Sequence, residues 1–185
     1  MTRILAIDPG SAQHAVVVLS EAAGIVTYES GALVSLNDFH AALGQSYDGA
    51  ILEIIEGYAY KPARVANMVL TARNEGRMIE QIYAACCVPQ TCTAGEARGE
   101  FCRSKQASDE QVATVVGDLV RGAPMSLPKK ERQHLMDACL YGLLLLRRRT
   151  VRLTLSAAGE RALLMARSAD HARAAAKGAR TKANK

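Results

Sequence analysis

A carboxylate ends the first apolar segment of the chain. Asp8 follows Ile4-Leu5-Ala6-Ile7 and precedes Pro9-Gly10. Aspartate is depleted in strands and is almost never buried without a partner, so packing alone gives no reason for it here. Pro9 and Gly10 predict a turn that holds Asp8 at the rigid end of a strand, where a carboxylate can bind a divalent metal ion. The structural alternative is an aspartate that caps the turn.

Two glutamates lie in a second apolar segment, residues 50–56. Glu53 and Glu56 are three residues apart, so in a strand they point to opposite faces and only one can share the face of Asp8. We favour Glu56, because it lies at the predicted strand end beside Gly57, where a ligand can approach closely. Glu53 would lie deeper and could pair with a basic group on a helix. The sequence does not decide firmly between them, and either could form an ordinary ion pair.

A histidine and an aspartate begin a helix that soon becomes wholly apolar. His134 and Asp137 are three residues apart on the helix predicted over residues 129–147, so they lie on one face. With Asp8 and Glu56 they would form an acidic cluster, and like charges brought together normally need cations. Oxygen ligands favour Mg²⁺ or Mn²⁺ over zinc, and paired ions of this kind promote phosphodiester cleavage. The alternative is a solvent-facing first turn with Asp137 near the positive helix end.

Charge is distributed unevenly along the 185 residues, whose net charge is +5. Residues 147–185 hold 11 of the 23 Lys and Arg but only two of the 18 acidic residues, a net charge of +9, which leaves −4 on the rest. A basic tail on a mildly acidic body favours a polyanionic partner, most simply nucleic acid, over a solvated end without a specific role. The five cysteines are odd in number and lack metal-type spacing, which predicts reduced thiols in the cytoplasm.

The elements that must position these residues alternate between strands and helices. We predict an antiparallel meander, a strand over residues 50–56, a long helix over 64–86, a short strand over 88–93, and helices over 109–120, 129–147 and 157–176. This order predicts an α/β fold with a mixed five-stranded sheet flanked by helices. Residues 1–149 would form the domain and 150–185 a basic, partly disordered helical extension. We expect no signal peptide and no membrane-spanning segment.

Three segments resemble, in order, the acidic motifs of RuvC-type Holliday junction resolvases. They are residues 4–10, residues 55–60, whose wording Ile-Glu-Gly-Tyr-Ala-Tyr is similar to the phage-type branch, and residues 134–138. The resemblance covers about residues 3–146. It implies an RNase H-like fold, a homodimer built partly by the long helix, and Mg²⁺-dependent paired nicks in four-way DNA junctions. By position, Asp8, Glu56 and Asp137 would be metal ligands, with His134 in the fourth acidic-or-histidine position.

The resemblance also implies DNA contacts, and here the chain departs from the bacterial enzymes. Asp109 stands where those enzymes usually have a Lys; Arg98 keeps the charge at another expected Lys, and Lys105 could replace the missing one. Tyr58 or Tyr60 could stack on junction bases, although both could equally pack against the sheet.

The leading hypothesis is therefore a structure-selective endonuclease for branched DNA. A non-catalytic module that binds branched nucleic acid is the first alternative. An actin-like nucleotide-binding protein, with residues 8–10 on a phosphate, is a weaker one, because 185 residues leave no room for a second lobe.

Overall fold

The chain folds into one mixed sheet with helices on both of its faces. A computed structural model describes residues 1–43, 46–54, 65–85 and 87–183. The described elements, in chain order, are β1 Thr2–Asp8, β2 His14–Ala22, β3 Ile25–Val34, α1 Leu36–Ala42, β4 Gly49–Glu53, α2 Val65–Ala85, β5 Gln90–Cys92, α3 Ala94–Cys102, α4 Asp109–Leu119, β6 Val120–Arg121, α5 Lys129–Arg148 and α6 Ala157–Ala183.

The strand order is β5-β4-β1-β2-β3-β6, with β1, β2 and β3 antiparallel to their neighbours in the meander. β4 pairs in parallel with β1, and β5 with β4. The predicted mixed α/β sheet is confirmed, with six strands instead of the expected five. The additional strand arises because Val120, at the end of α4, takes an extended conformation and pairs in parallel with Val26 of β3.

The two faces of the sheet bury separate apolar clusters. On one face, side chains such as Ile4, Ala6 and Ile51 pack against α5, which is buried almost throughout residues 135–146. Gly142 lets α5 approach the sheet closely, since a Cβ there would lie 2.7 Å from Leu19 Cδ1. On the other face, β-strand residues pack against α1 and α2. The candidate residues His134 and Asp137 on α5 therefore lie on one defined side of the sheet.

The long helix α2 is exposed along much of its outer side. A Cβ on Gly76 would meet no described atom within 4 Å, so no described residue packs closely on this glycine. Val69, Leu70 and Tyr83 are also exposed on α2. None of the described helices is both long and apolar enough to cross a membrane.

The C-terminal helix α6 is docked on the domain. Its start is fixed by Asp118, which accepts hydrogen bonds from the backbone N–H and the hydroxyl of Ser156. Leu163 is buried among the same apolar cluster as α5. α6 begins where the sequence predicts and continues about two turns further, to Ala183.

Candidate active site

Two carboxylates lie side by side at the ends of neighbouring parallel strands. Ile7 of β1 is in register with Leu52 of β4, so Asp8 and Glu53 follow at the same level. Ile4, Ala6 and Ile51 belong to the cluster beneath α5, and side chains alternate along a strand, so Asp8 and Glu53 also face α5. The fold thus brings Glu53, and not only Asp8, to the side of the sheet that carries His134 and Asp137.

Glu53 forms a side-chain hydrogen bond with Asp8. Burial raises the pKa of Glu53 well above its ordinary value, and the neighbouring charges of Asp8 and Asp137 raise it further. Glu53 therefore carries a proton at neutral pH in the absence of a cation. Glu56, which we favoured as the ligand, lies outside the described residues and stays a prediction, as do Tyr58 and Tyr60.

The start of α5 supplies the other two groups of the site. His134 Nδ1 lies 2.8 Å from Asp8 Oδ2. This hydrogen bond raises the pKa of His134, against the opposing effect of its partial burial. Asp137 is buried, with 7% of its surface exposed. One face of α5 therefore presents both side chains to the strand ends, as their spacing predicts.

Arg98 of α3 is the cation of the site. Its guanidinium donates to Asp137 Oδ1 at 2.8 Å and to the carbonyl oxygen of Ala107 at 2.7 Å. A longer contact of 3.5 Å joins it to Asp109. Burial raises the pKa of Asp137 to about 6 even though Arg98 lowers it. Arg98, predicted as a phosphate contact, is thus engaged with a carboxylate of the site, whereas Lys105 is exposed in the turn before α4.

The turn after Asp8 is held in place from two sides. The Gly10 N–H donates to His14 Nδ1 at 3.1 Å, and Asn74 of α2 donates to the carbonyl oxygens of Gly10 and Ser11, both at 3.3 Å. A Cβ at Gly10 would collide with the carbonyl oxygen of Gln13. The turn forms one wall of an open groove whose other wall includes His134.

The donor set suits a hard divalent cation. Asp8, Glu53 and Asp137 offer carboxylate oxygens, which Mg²⁺ and Mn²⁺ prefer, and the raised pKa of Glu53 beside Asp8 marks a place where positive charge is needed. Among the described residues, however, no group of three or more such side chains is already arranged to hold a metal ion. Asp137 is turned to Arg98 and Asp8 to His134 instead. Binding a cation would therefore require these partners to be exchanged.

Comparison with known proteins finds solved structures that share this fold. No protein-family model and no curated protein matches the sequence. Thermus thermophilus RuvC in complex with a Holliday junction substrate matches with a TM-score of 0.62 and 18% identity, over 83% of this chain and 100% of that one. A second structure of Thermus thermophilus RuvC matches with a TM-score of 0.60 and 13% identity, over the same shares of the two chains. A fowlpox virus Holliday junction resolvase has a TM-score of 0.49 and 12% identity, over 80% of this chain and 99% of that one.

The fold comparisons and the geometry of the site together define an RNase H-like α/β fold with acidic residues at two adjacent strand ends. Within that class the chain has the RuvC-type fold.

The sequence analysis left open whether Glu53 or Glu56 shares the face of Asp8 and favoured Glu56, although a signal that places Glu53 beside Asp8 was present. Both Asp8 and Glu53 directly follow four residues of a buried strand, in residues 4–7 and 49–52. Matching these two runs would have aligned the carboxylates. The expected strand end at residue 56 favoured Glu56 instead, while the assigned strand ends at Glu53.

Proposed function

We propose that the chain is a divalent-metal-dependent endonuclease that cuts branched DNA, with four-way junctions as its principal substrate. One observation carries this proposal: Asp8 and Glu53 lie together at adjacent strand ends, opposite His134 and Asp137. The fold is that of RuvC, one of whose structures contains a Holliday junction substrate. The basic C-terminal region supports a polyanionic substrate.

The chain's own groups would divide the work. Asp8, Glu53 and Asp137 would hold the cation, with Glu56 retained as a candidate until it is tested. A bound Mg²⁺ or Mn²⁺ would supply activation of the attacking water and stabilisation of the charge on the leaving oxygen. His134, released from Asp8, would orient or accept a proton from the water that attacks the phosphodiester. Arg98, released from Asp137, would be available to a phosphate oxygen.

A paired cut requires two sites, and we propose a homodimer that presents them with two-fold symmetry. The exposed apolar residues Val69, Leu70 and Tyr83 on α2 support pairing through this helix. Sedimentation analysis of the full chain, alone and with junction DNA, tests this assembly. A monomer in both conditions would rule it out.

The test of the activity is cleavage of a synthetic four-way junction compared with linear duplex, in Mg²⁺, Mn²⁺ or EDTA. We expect paired nicks near the branch point that require metal, and Asp8→Asn should abolish them. Junction binding by Asp8→Asn should stay within about threefold of wild type, because phosphate contacts by basic residues carry most of the affinity. Cleavage that survives in Asp8→Asn would refute the proposed site.

A module that binds branched DNA without cutting it is the second candidate. It is favoured by the ion pairs that occupy the site, Arg98 with Asp137 and His134 with Asp8. Tight, junction-selective binding with no cleavage in either metal would support it.

A further inference from the structure

The turn formed by residues 9–13 joins β1 to β2 and is held through its carbonyl oxygens. Asn74 Nδ2 of α2 donates to the carbonyl oxygens of Gly10 and Ser11, both at 3.3 Å. One amide nitrogen thus draws two successive carbonyl groups towards α2. Since no described peptide bond is cis, each N–H points opposite to the carbonyl group of its own peptide unit. The N–H groups of Ser11 and Ala12 therefore point away from α2.

These two N–H groups have no hydrogen-bond partner among the described residues. An aspartate at a turn of this kind commonly accepts from the backbone N–H two residues further on. Asp8 instead contacts His134, with Oδ2 2.8 Å from Nδ1. No backbone carbonyl or side chain within the described ranges accepts from the N–H of Ser11 or Ala12, and both residues are exposed. Adjacent N–H groups that point the same way form a concavity that binds anions.

The two N–H groups are directed towards the open groove beside the candidate active site. The groove is lined by the turn, by residues 31–33 of β3, and by Lys130 and His134 of α5. α2 and α5 pack on opposite faces of the sheet. N–H groups that point away from α2 are therefore directed to the side of α5, where the groove lies. An anion bound to them would share the groove with His134.

The chemistry of the lining suits a phosphate group. Phosphate oxygens accept from backbone N–H groups and from ammonium groups, and such charge-assisted bonds are among the stronger hydrogen bonds. Lys130 is exposed on the α5 side of the groove and supplies the cation. Glu131 follows it in the same lining and would repel an anion on that side. The place for the phosphate is therefore at the turn, with Lys130 facing it across the groove.

We propose that the N–H groups of Ser11 and Ala12, together with Lys130, bind a phosphate group of the DNA strand next to the phosphate that is cut. Asn74 is the positioning residue of this site, because it gives the two N–H groups their common direction. The identity of the ligand as DNA rests on the proposed function, whereas the phosphate site itself rests on the orientation of the turn.

The first test follows the backbone amides directly. The isotope-labelled full chain is titrated with inorganic phosphate in EDTA, with sodium chloride of equal ionic strength as the reference, and the amide resonances are followed by NMR. We expect saturable shifts of the Ser11 and Ala12 amides with phosphate only. Asn74→Ala should abolish these shifts, because the released carbonyl groups no longer fix the two N–H groups. The matched control is Asn37→Ala, the same change at an exposed position of α1, which should leave them intact.

The second test concerns the cation. Lys130→Gln should raise the apparent Kd for phosphate about two- to fivefold, as expected for an exposed charged contact. Lys129→Gln removes the same charge one residue earlier, where the side chain lines a different pocket, and should leave the Kd unchanged. Both lysines are exposed, so this comparison remains available if Asn74→Ala does not fold. Equal effects of the two substitutions would overturn the role of Lys130.

The third test separates a DNA phosphate from free phosphate. Four-way junctions that carry one uncharged methylphosphonate at successive positions near the branch point are bound in EDTA. At one position wild type should lose affinity about two- to fivefold, and Lys130→Gln should lose nothing further there. Additive losses at every position would mean that the turn binds free phosphate and not the DNA strand.

Failure of the phosphate site and failure of the nuclease give different results. Absence of phosphate-specific shifts in wild type, or shifts that persist in Asn74→Ala, would overturn the site even if the chain cuts junctions. A chain that shows these shifts and cuts no junction in Mg²⁺ or Mn²⁺ would refute the nuclease and keep the phosphate site.

Discussion

Replacing Glu53 by Gln should stabilise the metal-free protein while removing the proposed cleavage activity. Glu53 is largely buried and hydrogen-bonded to Asp8, and both conditions raise its pKa. A carboxyl group whose pKa is higher in the folded than in the unfolded state contributes stability at low pH. That contribution is lost as the pH rises through the folded-state pKa. Glutamine keeps the shape and a hydrogen-bond donor without the titration, so the variant should escape this loss.

The size of the effect follows from the difference between the pH of the assay and the pKa of Glu53 in the unfolded state. The unfolded pKa is about 4.3, so at pH 8 a Glu53 still protonated in the fold costs at most about 5 kcal/mol, at 1.36 kcal/mol per pH unit. Partial solvent exposure of Glu53 and relaxation of the site reduce this to about 2–3 kcal/mol. In a domain of this size that corresponds to an increase in Tm of roughly 5–10 °C. At pH 4.5 the carboxyl is protonated in both states for much of the population, and the difference should fall below about 1 kcal/mol.

The assay is thermal and urea unfolding of wild type and Glu53→Gln in EDTA at pH 4.5 and pH 8, repeated with Mg²⁺. Glu80→Gln, an exposed carboxylate on α2, is the matched control and should change stability by less than about 0.5 kcal/mol. Mg²⁺ should stabilise wild type at pH 8 and leave Glu53→Gln unchanged. A destabilised Glu53→Gln at pH 8, or a gain of equal size at both pH values, would refute the raised pKa of Glu53. Loss of cleavage in Glu56→Gln but not in Glu53→Gln would return the ligand role to Glu56.

Two further predictions concern packing and the cation of the site. Gly142→Ala should destabilise the fold by about 1–3 kcal/mol, because the new Cβ would press on Leu19. Gly76→Ala should instead stabilise the fold by up to about 1 kcal/mol, because alanine has the higher helix propensity. If urea unfolding showed Gly142→Ala to be the more stable of the two variants, the close approach of α5 to the sheet would be contradicted. Arg98→Ala should cost about 2–4 kcal/mol at pH 7.5, since it leaves Asp137 buried without its partner, and Arg98→Lys should recover only part, because an ammonium cannot donate to Asp137 and a backbone carbonyl in the same fork. Unfolding that shows a loss under about 1 kcal/mol would mean that Asp137 is already neutral.

Much of the framework could be predicted because local patterns and tertiary packing agree. Apolar runs of strand length precede Asp8 and form most of β2. The three-residue spacing of His134 and Asp137, on a helix that is then wholly apolar, predicted that both face the strand ends. The helix α3 was missed, since its two glycines and short length give little periodicity. Thr93 nevertheless caps it by accepting from the Glu96 N–H, and the Thr-x-x-Glu pattern is a sequence signal for such a helix start.

The roles of Arg98 and Glu53 could not be read from sequence distance. Arg98 meets Asp137, which is 39 residues away, only because α3 and α5 pack on the same side of the sheet. The level of Glu53 beside Asp8 is set by the parallel pairing of β1 and β4, and the matching buried runs before the two carboxylates do not by themselves say which strands pair. Such contacts form only when the helices and strands pack together, and the residue types alone do not predict which pairs will meet.

Because β1 and β4 pair in parallel, the number of residues in β4 is as important as their types. Ile7 is level with Leu52, and Asp8 and Glu53 follow one residue later on their strands. Deleting a single residue within residues 50–52 would move Glu53 to the opposite face, towards α2, and put Ile54 in its place beneath α5. Many substitutions at these positions would keep an apolar strand and a working site. Removing or adding one residue would preserve almost every side chain and still separate Glu53 from Asp8.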